Sequence, residues 1–267
     1  MDNISIEKNG TNLPYEIELR TDIGNREEQQ DHAYAYADSS LAMAIVCDGM
    51  GGTEEGAKAS RIAVESTQEM LKNYLAKSKG KRIVEFLAET MTTLDSRVSM
   101  ALGKQRGGTT AVAALIYEGR LYWFSAGDSR LYIIRNGELV QATRDHNYFL
   151  RLDEQLSTGE ITEEVYKQEA ARGEALISYM GVGGLSVYDL TNVPFELREG
   201  DILLLTSDGL YKAIPEELIK YVLNGNNSLA AKADMLISQI AVLKNSVVLD
   251  NTTFALIKIN ERGNSNE

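Results

Sequence analysis

The spacing of apolar positions changes several times along the chain, and each change marks an element. Residues 15–22 (YEIELRTD) alternate apolar with polar, the two-residue period of a half-buried strand. The runs 33–37 and 41–47 read as the arms of a hairpin that turns at residues 38–40. From 55 to 76, Ala57, Ile62, Ala63, Met70, Leu71 and Leu75 recur at helical spacing. Residues 83–102 repeat that signal with Val84, Leu87, Met91, Leu94 and Val98. The pattern predicts two long amphipathic helices joined by a polar turn around 77–81.

Four short strands are then expected at 109–117, 121–126, 131–135 and 139–142, with Glu118-Gly119 and Asn136-Gly137 as hairpin turns. Residues 146–180 are polar and acidic, with a helical stretch at 161–172, and read as an insertion over the surface. A buried strand at 201–207, helices at 216–223 and 229–243, a closing strand at 252–259 and a frayed tail at 261–267 complete the chain. Antiparallel hairpins dominate and no βαβ rhythm is visible. The expectation is an α+β fold in which helices cover antiparallel sheet.

Composition narrows the class. With 267 residues, only 3 prolines and no low-complexity tract, the chain is expected to form one domain over 1–267. The net charge is −12 and no block of Lys or Arg stands out, so a nucleic-acid partner has no electrostatic footprint. The acidity serves either solubility or an acidic site that attracts cations or a basic partner. The single cysteine, Cys47, allows no internal disulfide and is expected to be a buried small hydrophobe. The N-terminus lacks an apolar core, and no apolar run approaches the roughly 18 residues of a membrane span. A cytoplasmic protein with no membrane partner is expected.

The candidate chemistry lies in aspartates. Four apolar stretches each run into one: AMAIVC-Asp48-Gly49, YWFSAG-Asp128-Ser129, ILLLTS-Asp208-Gly209 and SVVL-Asp250-Asn251. Any one of these is equally well a turn residue that bonds its own backbone. Four carboxylates gathered at strand ends would repel each other unless cations or protons neutralised them. The chain has only two histidines, His32 and His146, so a His/Cys zinc site is disfavoured, and no calcium-loop pattern is present. Oxygen-only ligation suits Mg²⁺ or Mn²⁺. Two such ions roughly 3.5–4 Å apart can hold a bridging hydroxide for in-line displacement at phosphorus. That chemistry also needs a guanidinium for the phosphate.

The sequence resembles the type-2C (PPM) protein phosphatases in their bacterial form. The resemblance rests on Arg26-Glu-Glu-Gln-Gln-Asp31, Asp48-Gly-Met-Gly-Gly52, Gly107-Gly-Thr-Thr110, Gly127-Asp-Ser-Arg130, Thr143-Arg-Asp-His146, Ser207-Asp-Gly209 and Asp250-Asn251, in that order. It implies a four-layer α-β-β-α sandwich, with central antiparallel sheets flanked by helix pairs and a metal centre at one end. By matched position, Asp48 would bridge two Mn²⁺ or Mg²⁺ ions and the Gly49 carbonyl would ligate the second. Asp208 and Asp250 would complete the first, and Asp31 would act through water. Asp128 would serve a third, weaker ion, and Arg26 would hold the substrate phosphate. Residues 147–180 match the family's flap, and Ile177-Ser-Tyr-Met-Gly181 its return motif. The implied activity is hydrolysis of phosphoserine and phosphothreonine in proteins by a monomeric enzyme, opposing a Hanks-type kinase.

Three positions depart from the family pattern. Met50 stands where animal-type members carry a histidine proposed as general acid, and His146, expected to bond backbone after a strand, is not promoted to that role. Gln29-Gln30 replace the usual Asn-Glu before Asp31, removing an outer carboxylate. Gly108 stands where serine is common, with no consequence legible in the sequence. The Met50 and Gln30 departures keep an alternative open, a pseudophosphatase or partner-binding regulator with the same fold.

Overall fold

The computed structural model describes residues 3–77 and 82–260. The expected tail at 261–267, and the turn at 77–81 beyond Lys77, lie outside the described residues. The first half comprises strands β1 (Ile4–Asn9), β2 (Tyr15–Asp22), β3 (Asp31–Asp38) and β4 (Leu41–Gly51), then helices α1 (Thr53–Lys77) and α2 (Ile83–Leu102). Next come β5 (Gly107–Thr109), β6 (Ala111–Tyr117), β7 (Arg120–Ala126), β8 (Arg130–Arg135) and β9 (Glu138–Gln141). The insertion holds α3 (Tyr148–Ser157), α4 (Glu163–Glu169) and a 3-10 turn at Ala170–Arg172. The chain closes through β10 (Asp189–Leu190), β11 (Phe195–Glu196), β12 (Ile202–Thr206), α5 (Asp208–Ala213), α6 (Glu216–Asn224), α7 (Leu229–Leu243) and β13 (Thr252–Ile259).

Two sheets result. One is eight-stranded and runs β1-β3-β4-β6-β7-β10, with β5 on β4 and β11 on β7; the other is five-stranded, β2-β13-β12-β8-β9. Alternation along each strand sends side chains to two different cores. On β4, Leu41, Met43, Ile45 and Cys47 pack under α1 and α2, while Ala42, Ala44 and Val46 face the second sheet. On β13, Phe254 and Leu256 pack under α6 and α7, while Ala255, Ile257 and Ile259 face the first sheet. Three apolar layers thus separate helices, sheet, sheet and helices, the four-layer α-β-β-α arrangement expected. Small residues at Ala33, Ala35, Ala37, Ala42 and Ala44 line the inter-sheet core, where bulkier side chains would force the sheets apart.

The structure corrects several sequence expectations. The strand expected over 109–117 is broken at Thr110 into β5 and β6. The 161–172 helix is shorter, and α3 precedes it unanticipated because only Leu152 of that helix is buried. The chain also opens with β1, parallel to β3, an exception to the antiparallel pairing. Its alternation is weak because it forms a sheet edge and is largely exposed. Cys47 is buried, as expected. Among the described residues no helix is long and apolar enough to cross a membrane.

Candidate active site

One end of the sheet pair opens into a cavity of about 560 Å³ whose wall includes Arg26, Asp48, Gly49, Asp128, Asp208 and Asp250. Only part of the strand-end picture holds. Asp128 follows β7, and Asp208 opens α5 after β12. Asp48 lies inside β4, which continues to Gly51, and Asp250 precedes β13, since residues 246–249 form no strand. Asp31, at the start of β3, sits directly across from Asp48 in the β3–β4 pairing and is fully buried behind the cavity wall.

Glycines allow this convergence. A Cβ on Gly49 would lie 2.2 Å from the Gly56 carbonyl oxygen, and one on Gly209 would lie 2.0 Å from that of Asn251. The first turn of α5 can therefore press against the 250–252 backbone, which brings Asp208 and Asp250 to one cavity. The remaining motifs hold these pieces in place. Thr110 Oγ1 accepts from Asp48 N at 3.0 Å, and Thr109 Oγ1 donates to the Asp48 carbonyl at 2.9 Å. Thr110 Oγ1 also meets Ser129 Oγ at 2.6 Å, tying the Gly-Gly-Thr-Thr segment to Gly-Asp-Ser-Arg. Arg130 grips Asp145 through two parallel bonds of 2.9 and 2.7 Å. The Asn251 amide accepts from Gln30 N at 2.8 Å and donates to the Ile23 and Glu28 carbonyls, which fixes the loop carrying Arg26.

Charge at this end is strongly acidic and poorly solvated. Burial pushes Asp31 up to about 7, with Asp208 and Asp250 adding to the shift. Its Oδ2 accepts from Ser207 Oγ at 2.8 Å, and its Oδ1 has no partner among the described residues. Burial likewise lifts Asp48 well above the ordinary carboxylate range, and Asp31, Asp208, Asp128 and Asp250 add to it. Asp128 rises to about 6 through burial and the nearby Asp208, with Lys212 acting in the opposite direction. Two basic side chains enter this group. Arg26 Nη2 pairs with Asp250 Oδ2 at 2.6 Å, and Lys212 Nζ pairs with Asp208 Oδ2 at 2.8 Å.

Among the described residues, no three His, Cys, Asp or Glu side chains stand in a ready ligand cluster; the carboxylates are spread around the cavity wall, with Asp31 buried behind it. The donor set nevertheless suits a hard divalent cation. It is made of oxygens, burial and neighbouring carboxylates make Asp31, Asp48 and Asp128 hold protons more tightly than usual, and one buried carboxylate oxygen of Asp31 is unpartnered among the described residues.

Neither histidine lines the cavity. The His146 backbone bonds Gly127 and Ile177, but its buried ring bonds no backbone group, contrary to expectation. Its Nε2 lies 3.6 Å from Asp189 Oδ1, beyond hydrogen-bond reach. Met50 lines the cavity and carries no proton to give. The Gln30 amide Nε2 reaches the Gly52 carbonyl at 3.3 Å. Three participants escaped the sequence reading: Ser207 beneath Asp31, Asn251 as a loop anchor, and Lys212. A short helix at 208–213 would have placed Lys212 one turn from Asp208, but no helix was expected there.

Residues 20–242 match a family model described as protein phosphatase 2C. The serine/threonine phosphatase stp of Listeria monocytogenes is 32% identical over 228 residues, covering 83% of this chain and 88% of that protein. The S. agalactiae serine/threonine phosphatase structure superposes with a TM-score of 0.77 at 27% identity, covering 92% of this chain and 100% of that one. The catalytic domain of the serine/threonine protein phosphatase PstP, solved with 2 manganese ions, gives a TM-score of 0.71 at 28% identity, covering 92% and 99%.

Proposed function

Because the chain belongs to the protein phosphatase 2C family, we propose that it is a metal-dependent protein phosphatase that hydrolyses phosphoserine and phosphothreonine at the acidic cavity. The observation that carries this reading is the meeting of Asp48, Asp128, Asp208 and Asp250 with the Arg26 guanidinium on one cavity wall.

In this reading Asp48, the Gly49 carbonyl, Asp208 and Asp250 would hold two Mn²⁺ or Mg²⁺ ions, and Asp31 would act on them through water. Asp128 is left for a third, weaker ion. Such ions, when bound, supply positive charge to the phosphoryl oxygens and make water a nucleophile near neutral pH. The other duties belong to side chains. Arg26 turns from Asp250 to the substrate phosphate and orients it by paired N–H groups. Asn251 keeps the Arg26 loop from drifting, and the Thr109 and Thr110 bonds keep Asp48 aimed into the cavity. No histidine serves as proton donor here, since none lines the cavity among the described residues.

The flap reading of 147–180 is supported by Glu174 and Leu176, which reach the cavity wall from that segment. A single catalytic domain over 1–267, acting as a cytoplasmic monomer against a Hanks-type kinase, completes the proposal. Nothing in the site favours a binding-only regulator, because every carboxylate proposed to hold metal directly is present even though Gln30 replaces an outer one. The test is turnover of p-nitrophenyl phosphate and of a phosphothreonine peptide. Both should require Mn²⁺ and be lost in Asp208→Asn; metal-independent turnover would overturn the reading.

A further inference from the structure

Lys212 is the basic side chain on the cavity wall that the family reading leaves without work. Its ammonium lies 2.8 Å from Asp208 Oδ2, 3.8 Å from Asp128 Oδ2 and 3.2 Å from Glu174 Oε2. These three carboxylates come from different parts of the fold: the start of α5, the turn after β7, and the flap. An ordinary pair one helical turn apart on a surface would account for Asp208 alone. It does not account for Asp128, whose side chain is 8% exposed, or for a contact that crosses to the flap.

The backbone on either side of Glu174 is held by its neighbours, while the side chain itself is 72% exposed. Phe149 N donates to the Gly173 carbonyl at 2.9 Å, and Tyr148 N donates to that of Ala175 at 2.8 Å. A Cβ on Gly173 would lie 2.2 Å from the Phe149 ring, so this stretch is packed tightly on the start of α3. The flap therefore presents Glu174 to Lys212 from a backbone fixed on both sides.

Two carboxylates with one ammonium between them have most of their mutual repulsion offset. A divalent ion shared by Asp128 and Asp208 would have to enter against that ammonium or displace it. We propose that Lys212 is the built-in counter-cation of the Asp128–Asp208 pair, competing with a divalent ion there and tethering the flap through Glu174. Ion entry at this pair and release of the flap are then one linked event, because both require Lys212 to leave its present contacts. Lys212 acts through Asp128, Asp208 and Glu174, so it is a positioning residue. The inference rests on the metal-dependent reading above.

The experiment is isothermal titration of metal-free protein with Mn²⁺, together with hydrogen exchange across residues 148–176. The wild type should take up two ions, with a third only weakly. Lys212→Met should bind that third ion about tenfold or more tightly, because the competing charge is gone. Its flap should exchange faster in the absence of metal. Lys212→Arg, which keeps the charge, should restore weak third-ion binding. Glu174→Gln should speed flap exchange and tighten the third ion by less than Lys212→Met does, because the ammonium remains but has lost one of its three contacts. If Lys212→Met does not fold by circular dichroism, Lys212→Gln takes its place. Equal ion number and affinity in wild type and the charge-removing variant would overturn the role of Lys212 while leaving the phosphatase reading intact. A wild type that binds no Mn²⁺ would overturn both.

Discussion

Arg26 and Asp250, 224 positions apart in the chain, meet in an ion pair of 2.6 Å on the cavity wall. The side chain suited to phosphate therefore rests on a carboxylate proposed to hold metal. Both are about half exposed, so the pair itself adds little to stability and the guanidinium can turn to a ligand. Arg26→Ala should lower kcat/KM for a phosphopeptide by roughly 10–100-fold, the cost of losing a charge-assisted phosphate contact. The number of Mn²⁺ ions bound should not fall. Arg26→Lys should recover only part of the loss, because a single ammonium cannot make two parallel bonds. Steady-state kinetics beside metal titration separates the two effects.

Metal affinity should depend on pH in a defined direction. Asp31 is raised to about 7, mainly by burial, so the folded protein holds a proton there that the unfolded chain gives up near pH 4. In metal-free protein this group's contribution to stability is full below about pH 4 and is lost as pH rises through about 7. Divalent ions favour the ionised form, so apparent Mn²⁺ affinity should weaken as pH falls from 8 to 6. Asp31→Asn should flatten both trends. Thermal denaturation with and without Mn²⁺, at pH 6 and pH 8, reads the outcome directly; a wild type indistinguishable from Asp31→Asn would rule the assignment out.

His32 should act in the opposite sense. Burial lowers its imidazole to about 4, with Arg61 adding to the effect, and its Nδ1 meets Ser60 Oγ at 2.9 Å. The unfolded chain takes up a proton near 6.5, so the stability from neutral His32 is present above that value and lost as pH falls towards 4. Across that window, wild type should lose stability relative to His32→Gln by up to about 1.4 kcal/mol per pH unit. Urea denaturation at pH 7, 6 and 5 measures the difference. Comparing the two proteins cancels the opposing carboxylates.

Gly108 has a structural reason that its sequence position did not reveal. A Cβ there would lie 2.4 Å from the Tyr179 ring and 2.7 Å from the Met180 carbonyl oxygen. That carbonyl accepts from Thr109 N at 3.1 Å, and Met180 N donates to the Thr109 carbonyl at 2.8 Å, so the backbone cannot easily move aside. Gly108→Ser should therefore destabilise the fold by about 1–3 kcal/mol, as overpacking of a tight site does. It should also loosen the return of the flap, seen as faster hydrogen exchange at Met180. Unchanged stability would mean that Tyr179 turns away without cost.

The sequence by itself determined the strand and helix periods and the turn residue that follows each of Asp48, Asp128, Asp208 and Asp250. The ranges of β2, α2, α7 and β13 follow from alternation or helical spacing in residues that sit on the cores, where burial enforces the pattern. Asp48, Asp128, Asp208 and Asp250 were legible because each lies against a local signal, an apolar run followed by a turn residue, whereas Asp31 follows a polar stretch and stood out only by the family resemblance. Where burial is slight, the pattern fades: β1 lies on an edge, and α3 buries one residue.

Only the tertiary structure decided what those aspartates share. Asp250 reaches the cavity from a loop before β13, Asp31 is fully buried with its Oδ2 bonded by Ser207, and Lys212 stands between α5, the β7–β8 turn and the flap. None of these relations has a period or a spacing to read. Each depends on where two sheets and an insertion come to rest, and the electrostatics of the site arise from that convergence.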